Sequence, residues 1–155
     1  MQLLRPATAL AASLLAIGPA LARAETCQGA PGAAKLDVVV EGVQSSEGLM
    51  TGSLYPGDRS QFLVKNGALK VWSVPATSPA THMCIWLKNG PGTYAFAVYH
   101  DANSNGKWDH SILGRIEGFG FSNNPRTLFS APGFDQVKFE AKGAQTTLHV
   151  RLRYP

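Results

Sequence analysis

The sequence predicts an all-β protein, a single antiparallel β-sandwich of about seven strands. Short apolar runs recur about every ten residues, and Gly, Pro, Asn and Ser stand between them. In several runs apolar and polar residues alternate, which is typical of strands with one buried face. After residue 24, no stretch of useful length carries the helical period.

The first three strands are predicted before residue 75. Alternation begins in residues 36–41 (LDVVVE), where every second side chain is a large aliphatic one. A second strand is predicted over residues 48–55, because the Pro-Gly-Asp turn at residues 56–58 ends it. Residues 69–74 form the third predicted strand, and the loop that follows contains two prolines.

The middle of the chain carries the strongest strand signal. Residues 81–87 form the fourth predicted strand, and Asn-Gly-Pro-Gly at residues 89–92 predicts a turn. Residues 93–100 (TYAFAVYH) form the fifth and are the richest in β-forming residues. The alternation places one set on a common face of this strand: Tyr94, Phe96, Val98 and His100.

Two further strands are predicted near the C-terminus, over residues 137–140 and 146–153, with a turn at Lys142-Gly143 between them. In the last strand the aliphatic residues predicted to point inward are Leu148, Val150 and Leu152. The histidine and arginines between them are predicted to face solvent.

Residues 1–24 are predicted to be a cleavable export signal. Arg5 precedes an apolar stretch over residues 7–17, and Ala22-Arg23-Ala24 has the small-x-small pattern that signal peptidase accepts. The alternative is a buried N-terminal helix. The apolar stretch is shorter than the roughly 20 residues that span a bilayer, and no later stretch is longer, so we expect no membrane-spanning segment.

The predicted organisation is therefore a signal peptide at 1–24, a flexible leader at 25–34 and a β-sandwich domain at 35–155. The predicted location is periplasmic or secreted. Arg5 and Arg23 leave with the signal, which lowers the formal charge from +4 to about +2. That charge is small and scattered, so no nucleic-acid partner is predicted.

The two cysteines of the chain, Cys27 and Cys84, are predicted to form a disulfide. An exported domain with an even cysteine count favours a bridge. This one closes a loop of about 57 residues. The alternative is that Cys84 is a buried free thiol and Cys27 a loose one.

A candidate calcium loop follows the fifth predicted strand. Oxygen-bearing side chains recur at its positions 1, 3, 5 and 9, namely Asp101, Asn103, Asn105 and Asp109. Gly106 at position 6 permits a sharp turn, which would bring in Lys107 through its backbone carbonyl. Calcium prefers oxygen ligands, and this spacing is that of the first part of an EF-hand loop.

The segment departs from an EF-hand at position 12, where Ile112 replaces the bidentate glutamate. Glu117 is a candidate for the missing carboxylate if the chain folds back. Such a charge-poor ligand set predicts weak affinity, in the range of roughly 10⁻⁴–10⁻³ M. Two alternatives stay open: a metal-free turn stabilised by Asn and Asp, or another cation, with His100 and His110 as flanking ligands for zinc or copper.

Residues 114–124 (GRIEGFGFSNN) allow two interpretations. One is a ligand-facing loop with exposed aromatic residues, and the other is a Gly-rich bend whose phenylalanines cap the sandwich. Sequence signatures of enzymes are absent: there is no G-x-S-x-G, no H-E-x-x-H and no glycine-rich phosphate loop.

Three segments, YAFAVYHDANSNGKWD, GRIEGFGFSNN and FDQVKFEAKGAQTTLHVRLRY, resemble a bacterial family of small exported proteins catalogued as domain of unknown function 2141. The resemblance covers residues 35–154 and implies an immunoglobulin- or prealbumin-like β-sandwich with no established activity. It strengthens the pairing of the 101–109 loop with Glu117. The chain has Ile116 where a proline is common in the family, and the leader with Cys27 lies outside the resemblance.

These observations predict a non-enzymatic, exported binding or accessory protein of the bacterial cell envelope. Its expected cofactor is calcium, and its expected partner is an envelope protein or a glycan. The alternative function is a small periplasmic hydrolase that uses Asp101, Asp109 or Glu117 as acid or base.

Overall fold

The computed structural model describes residues 27–109, 117–126 and 130–154. Within these ranges the strands are β1 (Lys35–Glu41), β2 (Leu49–Pro56), β3 (Lys70–Pro75), β4 (Ala80–Trp86), β5 (Gly92–Asp101), β6 (Phe119–Phe121), β7 (Phe139–Ala141) and β8 (Gln145–Arg151). One α-helical turn, α1 (Phe134–Val137), precedes β7. None of the helices in the described part of the chain has the length and hydropathy needed to cross a membrane.

The strands form two sheets, which confirms the predicted all-β sandwich. The three-stranded sheet has the order β4-β1-β8, and the other has the order β3-β2-β5, with β6 and β7 sharing the free edge of β5. Eight strands are present in the described ranges rather than about seven. The pairing of β1 with β8 is parallel, whereas the other strand pairings are antiparallel. Side-chain alternation is the same in both kinds of pairing, so the sequence pattern does not distinguish them.

The main core lies between the two sheets, and the predicted inward faces line it. The aliphatic residues Leu36, Val38 and Val40 of β1 are at most 1% exposed. The set that alternation placed on one face of β5 is buried as well, and Val150 and Leu152 are buried with Leu148 packed against them. Alternation therefore identified the buried faces of the first and last strands correctly.

A second, smaller cluster covers the outer face of the larger sheet. Its buried members are Tyr55, Phe62, Ala95, Phe134 and Val137. Because this cluster lies against β5, the central strand is buried on both faces. Val137 was predicted to begin a strand, which is wrong: it ends α1, and the strand that follows is Phe139–Ala141. The Gln136 side chain accepts a hydrogen bond from the Gly133 N–H at 2.9 Å and favours this turn.

The Gly-rich segment contains a strand that the sequence pattern did not predict. Its strand, β6, pairs with residues 97–99 of β5, and Phe119 forms an antiparallel bridge with Arg153 beyond β8. Phe119 and Phe121 are half-buried, and their rings pack edge-to-face at 6.0 Å. This bridge joins the two sheets along one side of the sandwich.

Cys27 and Cys84 form the predicted disulfide, with Cα atoms 4.5 Å apart. Beside it, the Gln28 N–H donates to the Cys84 carbonyl and the Trp86 N–H donates to the Gln28 carbonyl, each at 2.9 Å. The start of the described chain is thus fixed along β4 by one covalent and two hydrogen bonds. The predicted signal and residues 25 and 26 of the predicted leader lie outside the described residues.

Stability is expected to fall above pH 10, because burial raises the pKa of all four tyrosines: Tyr55, Tyr94, Tyr99 and Tyr154. Below the ordinary phenol pKa of 10.0 the groups are neutral in both states and contribute no pH dependence. Above it the unfolded chain ionises first, which favours unfolding as pH rises towards the folded-state pKa values. Urea unfolding at a series of pH values checks this, and equal phenol titration midpoints in the folded and urea-unfolded protein would contradict it.

Candidate metal site

The 101–109 loop begins at the end of β5, where Asp101 is the last residue of the strand. The Asp101 carboxylate is buried, with 1% of the residue exposed. Its Oδ1 accepts the Asn105 N–H at 3.0 Å, and its Oδ2 accepts the Gly106 N–H at 2.8 Å. A carboxylate that accepts backbone N–H groups fixes the conformation of the loop that supplies them.

The other oxygen-bearing side chains of the loop converge on Asp109. The Nδ2 groups of Asn103 and Asn105 both donate to Asp109 Oδ2, each at 2.8 Å. The amide oxygens face the backbone instead: Asn103 Oδ1 accepts the Asn105 N–H at 3.0 Å, and Asn105 Oδ1 accepts the Lys107 N–H at 2.8 Å. Three side chains therefore meet at one carboxylate oxygen.

Two glycines allow the loop to take this shape. Gly106 has φ 74°, in the left-handed region that favours glycine, and it reverses the chain towards Asp109. Gly48 packs directly under the start of the loop, and a Cβ atom there would lie 2.1 Å from the Asp101 carbonyl oxygen. The backbone before β2 thus approaches the loop more closely than any side chain would permit.

Glu117 lies beside the loop and connects its two ends. The residue is 1% exposed. Glu117 Oε1 accepts the Ala102 N–H at 3.0 Å, and Oε2 accepts the Asp109 N–H at 2.8 Å. The Glu117 N–H in turn donates to the Asp109 carbonyl at 3.2 Å. The carboxylate therefore ties residue 102 to residue 109 across the base of the loop.

Trp108 also contacts this arrangement, and it was not among the residues selected from the sequence. Its Nε1 donates to the Glu117 carbonyl at 3.2 Å, and its ring packs edge-to-face on Phe119 at 5.3 Å. The residue remains 43% exposed. A tryptophan between two candidate ligand positions, Lys107 and Asp109, is a signal that the sequence offered.

The imidazole ring of His100 forms two hydrogen bonds to other parts of the domain. Its Nε2 lies 2.7 Å from the Glu47 carbonyl, which can only accept, so Nε2 carries a hydrogen. Its Nδ1 lies 2.9 Å from the Tyr154 hydroxyl, which also accepts the Gln44 N–H at 3.2 Å. Both ring nitrogens therefore form hydrogen bonds within the domain. His110, the second flanking histidine, lies outside the described residues.

Residues 122–124 (Ser-Asn-Asn), which follow β6, have a structural role that the sequence pattern did not predict. Ser122 is fully buried and bonds the Phe96 N–H and the Val137 carbonyl. The Asn124 side chain donates to the His149 carbonyl and accepts the Arg151 N–H. These side chains fasten the segment after Glu117 to β5, α1 and β8.

A second possible metal-binding cluster consists of Cys27, Asp37 and Cys84, whose ligand atoms lie within 4.8 Å of one another. Among the described residues it is the one group of three or more His, Cys, Asp or Glu side chains this close together. The two sulfurs there are bonded to each other, so this group offers no thiolate to a metal. The loop differs, because much of its candidate ligand set consists of amide and backbone oxygens.

Comparison with known proteins identifies one family. The sequence model of a family described as "Uncharacterized protein conserved in bacteria (DUF2141)" matches residues 38–149. These residues run from within β1 to within β8 and include the whole candidate loop. No curated protein and no solved structure matches the chain.

Proposed function

Because the chain belongs to the DUF2141 family of bacterial proteins, whose description names no activity, we propose its function from the site itself. The protein is an exported, non-enzymatic β-sandwich that binds calcium weakly at the 101–109 loop. The ordered loop then presents a binding surface to a protein or glycan of the bacterial cell envelope.

The observation that carries the proposal is that the side chains of Asn103 and Asn105 meet the Asp109 carboxylate, through NH₂ groups that a cation would displace. Each amide oxygen accepts one backbone N–H, and a carbonyl oxygen has two lone pairs, so one lone pair remains for a cation. Calcium takes 6–8 oxygen ligands, and waters complete sets that the protein leaves short. In the bound state a cation takes over from the two amide–carboxylate hydrogen bonds as the link across the loop.

The proposed ligands are Asp101, Asn103, Asn105, the Lys107 carbonyl and Asp109, and Glu117 positions them. Both oxygens of Glu117 already hold backbone N–H groups at the two ends of the loop. Its buried charge also adds negative potential beside the cation. With two carboxylates among the ligands, the expected dissociation constant is roughly 10⁻⁴–10⁻³ M.

Export supplies the conditions that such a weak site needs. Extracellular modules work with calcium affinities in this range. A disulfide is typical of proteins that fold in an oxidising compartment. Intact-mass measurement of the protein recovered from periplasmic extract tests export, since removal of residues 1–24 leaves a chain that begins at Glu25.

The geometry favours binding over hydrolysis. An acid or base must come within hydrogen-bond reach of its substrate. Asp101 and Glu117 are each 1% exposed, and all four of their carboxylate oxygens accept backbone N–H groups. Asp109 is half-buried and holds two amide groups. These carboxylates stabilise one backbone conformation of the 101–109 loop.

Calcium is expected to raise the melting temperature by about 5 °C at a concentration tenfold above the dissociation constant. That excess stabilises the folded state by about 1.4 kcal/mol, which corresponds to this shift for a domain of this size. The measurement is thermal unfolding at about 10 mM calcium chloride, with magnesium and sodium chloride at matched ionic strength as controls. An unchanged calcium curve would contradict the proposal.

An Asn103→Asp variant sharpens the same test. The new carboxylate faces Asp109, so the variant melts below wild type without calcium and gains more from calcium than wild type does. Asn66→Asp is the matched control, because Asn66 is exposed in a turn with φ 61° and lies outside the loop. A calcium response that is the same in both variants would mean that the ion binds elsewhere.

A further inference from the structure

The sandwich has an open side opposite the β6–Arg153 bridge, where β3 and β4 are the edge strands of the two sheets. A cleft of about 530 Å³ lies there, within the size range of small-molecule sites. Its floor is formed by Leu54, Ile85, Leu87 and the ring of Tyr94, which are 1–4% exposed, and Leu69, which is 45% exposed, forms one side. The segment 29–32 forms a further wall.

The charged groups of this cleft have one sign. Among the residues that the structure describes, Lys70 and Lys88 line it, and no aspartate or glutamate does. Both lysines are exposed, and in the described part of the chain neither forms an ion pair. An apolar cleft with two unneutralised ammonium groups complements a ligand that has an aliphatic body and an anionic head.

We propose that this cleft binds an anionic amphiphile, namely an aliphatic chain that ends in a carboxylate. The chain lies against Leu69 and the segment 29–32, above the buried side chains of Leu54 and Leu87, and burial of its methylenes provides most of the affinity. The carboxylate lies at the side of Lys70 and Lys88 and accepts hydrogen bonds from their ammonium groups.

The wall made by residues 29–32 is held by features that do not belong to the calcium loop. The Cys27–Cys84 disulfide and the Gln28 bridge to Ile85 fix its start, and the Leu87 N–H donates to the Ala34 carbonyl at 2.9 Å beyond its end. The cleft and the loop lie at opposite ends of β5, separated by about 20 Å of strand. Ligand binding here is therefore independent of the proposed calcium function.

Isothermal titration with octanoate, decanoate and dodecanoate below their micelle concentrations tests the proposal on the oxidised wild-type protein. The expected affinity rises by up to about 4-fold for each added methylene. Decanol, which has the same chain and no charge, is expected to bind about 10-fold more weakly than decanoate. Absence of binding, equal binding of decanol, or affinity that does not change with chain length would each overturn the proposal.

Two sets of variants locate the site. Lys70→Gln combined with Lys88→Gln is expected to weaken decanoate binding about 10-fold while leaving decanol binding unchanged. Leu69→Ser, at a residue that is 45% exposed, is expected to weaken both ligands to a similar degree. Lys142→Gln, in the exposed turn between β7 and β8, is the matched control and keeps wild-type affinity. Wild-type affinity in the double lysine variant, or dimerisation of the chain through this cleft in ultracentrifugation, would also overturn the assignment.

Discussion

A Glu117→Gln variant is expected to have a free energy of unfolding about 3 kcal/mol below that of the wild type. Each oxygen of the buried carboxylate accepts one backbone N–H, from Ala102 and from Asp109. A glutamine has one accepting oxygen, so its NH₂ group faces a backbone donor and leaves that donor unpaired. The loss of a charge-assisted bond and the burial of an unpaired N–H act in the same direction.

Urea unfolding at neutral pH measures this effect, with an unchanged m-value as the sign that the folded state is otherwise intact. Glu140→Gln is the matched control. Its carboxylate is exposed and accepts the Thr93 hydroxyl, and we expect a change of less than about 0.5 kcal/mol there. Equal stability of the Glu117 variant and the wild type would mean that the carboxylate does not hold the loop.

Replacement of both cysteines by alanine is expected to lower the free energy of unfolding by about 4 kcal/mol. The bridge spans 57 residues of sequence, and in the chain-entropy model a loop of this length restricts the unfolded chain by that amount. The double variant avoids the unpaired thiol that a single substitution would leave. The measurement is urea unfolding of the oxidised wild type beside the variant.

Reductant provides the control for the disulfide prediction. It is expected to lower the stability of the wild type to about that of the double variant and to leave the variant unchanged. Its effect on the calcium-dependent melting shift should be small, because the bridge and the 101–109 loop lie on different parts of the sandwich. A reduced wild type as stable as the oxidised one would contradict the prediction.

Much of the fold could be predicted because it follows from local alternation. In β1 every second side chain enters the core, so the pattern in the sequence is the pattern of burial, whereas β5 is buried on both faces. The strand β6 was missed because three residues within a Gly-rich segment carry too little alternation to be recognised. The helical turn α1 was missed for a different reason: a four-residue element carries less than two turns of the helical period.

The candidate site was only partly predictable. The loop spacing from Asp101 to Asp109 is local and can be read from the sequence, and Glu117 was selected by proximity and by the family resemblance. That both carboxylate oxygens of Glu117 meet backbone N–H groups is a property of the folded chain. The partners of His100 depend on pairs even further apart, since its neighbour Tyr154 lies 54 residues away in sequence.

The cleft was beyond prediction from the sequence because its walls come from five separate stretches of chain. Each contributes one to five residues, and none carries a recognisable motif. In the sequence, Leu69 and Lys70 indicate only the first residues of a predicted strand. Their significance arises because the end of β4 and the segment held by Cys27 lie opposite them.

The parallel pairing of β1 with β8 has a consequence for the order in which the chain folds. The Gln145 side chain donates to Asp37 across 108 residues of sequence, so the strand that completes this sheet is synthesised long after β1. Contacts of such long range make folding slow. The three-stranded sheet therefore cannot be completed until β8 has been synthesised, and until then β4 is the one strand of this sheet that can pair with β1.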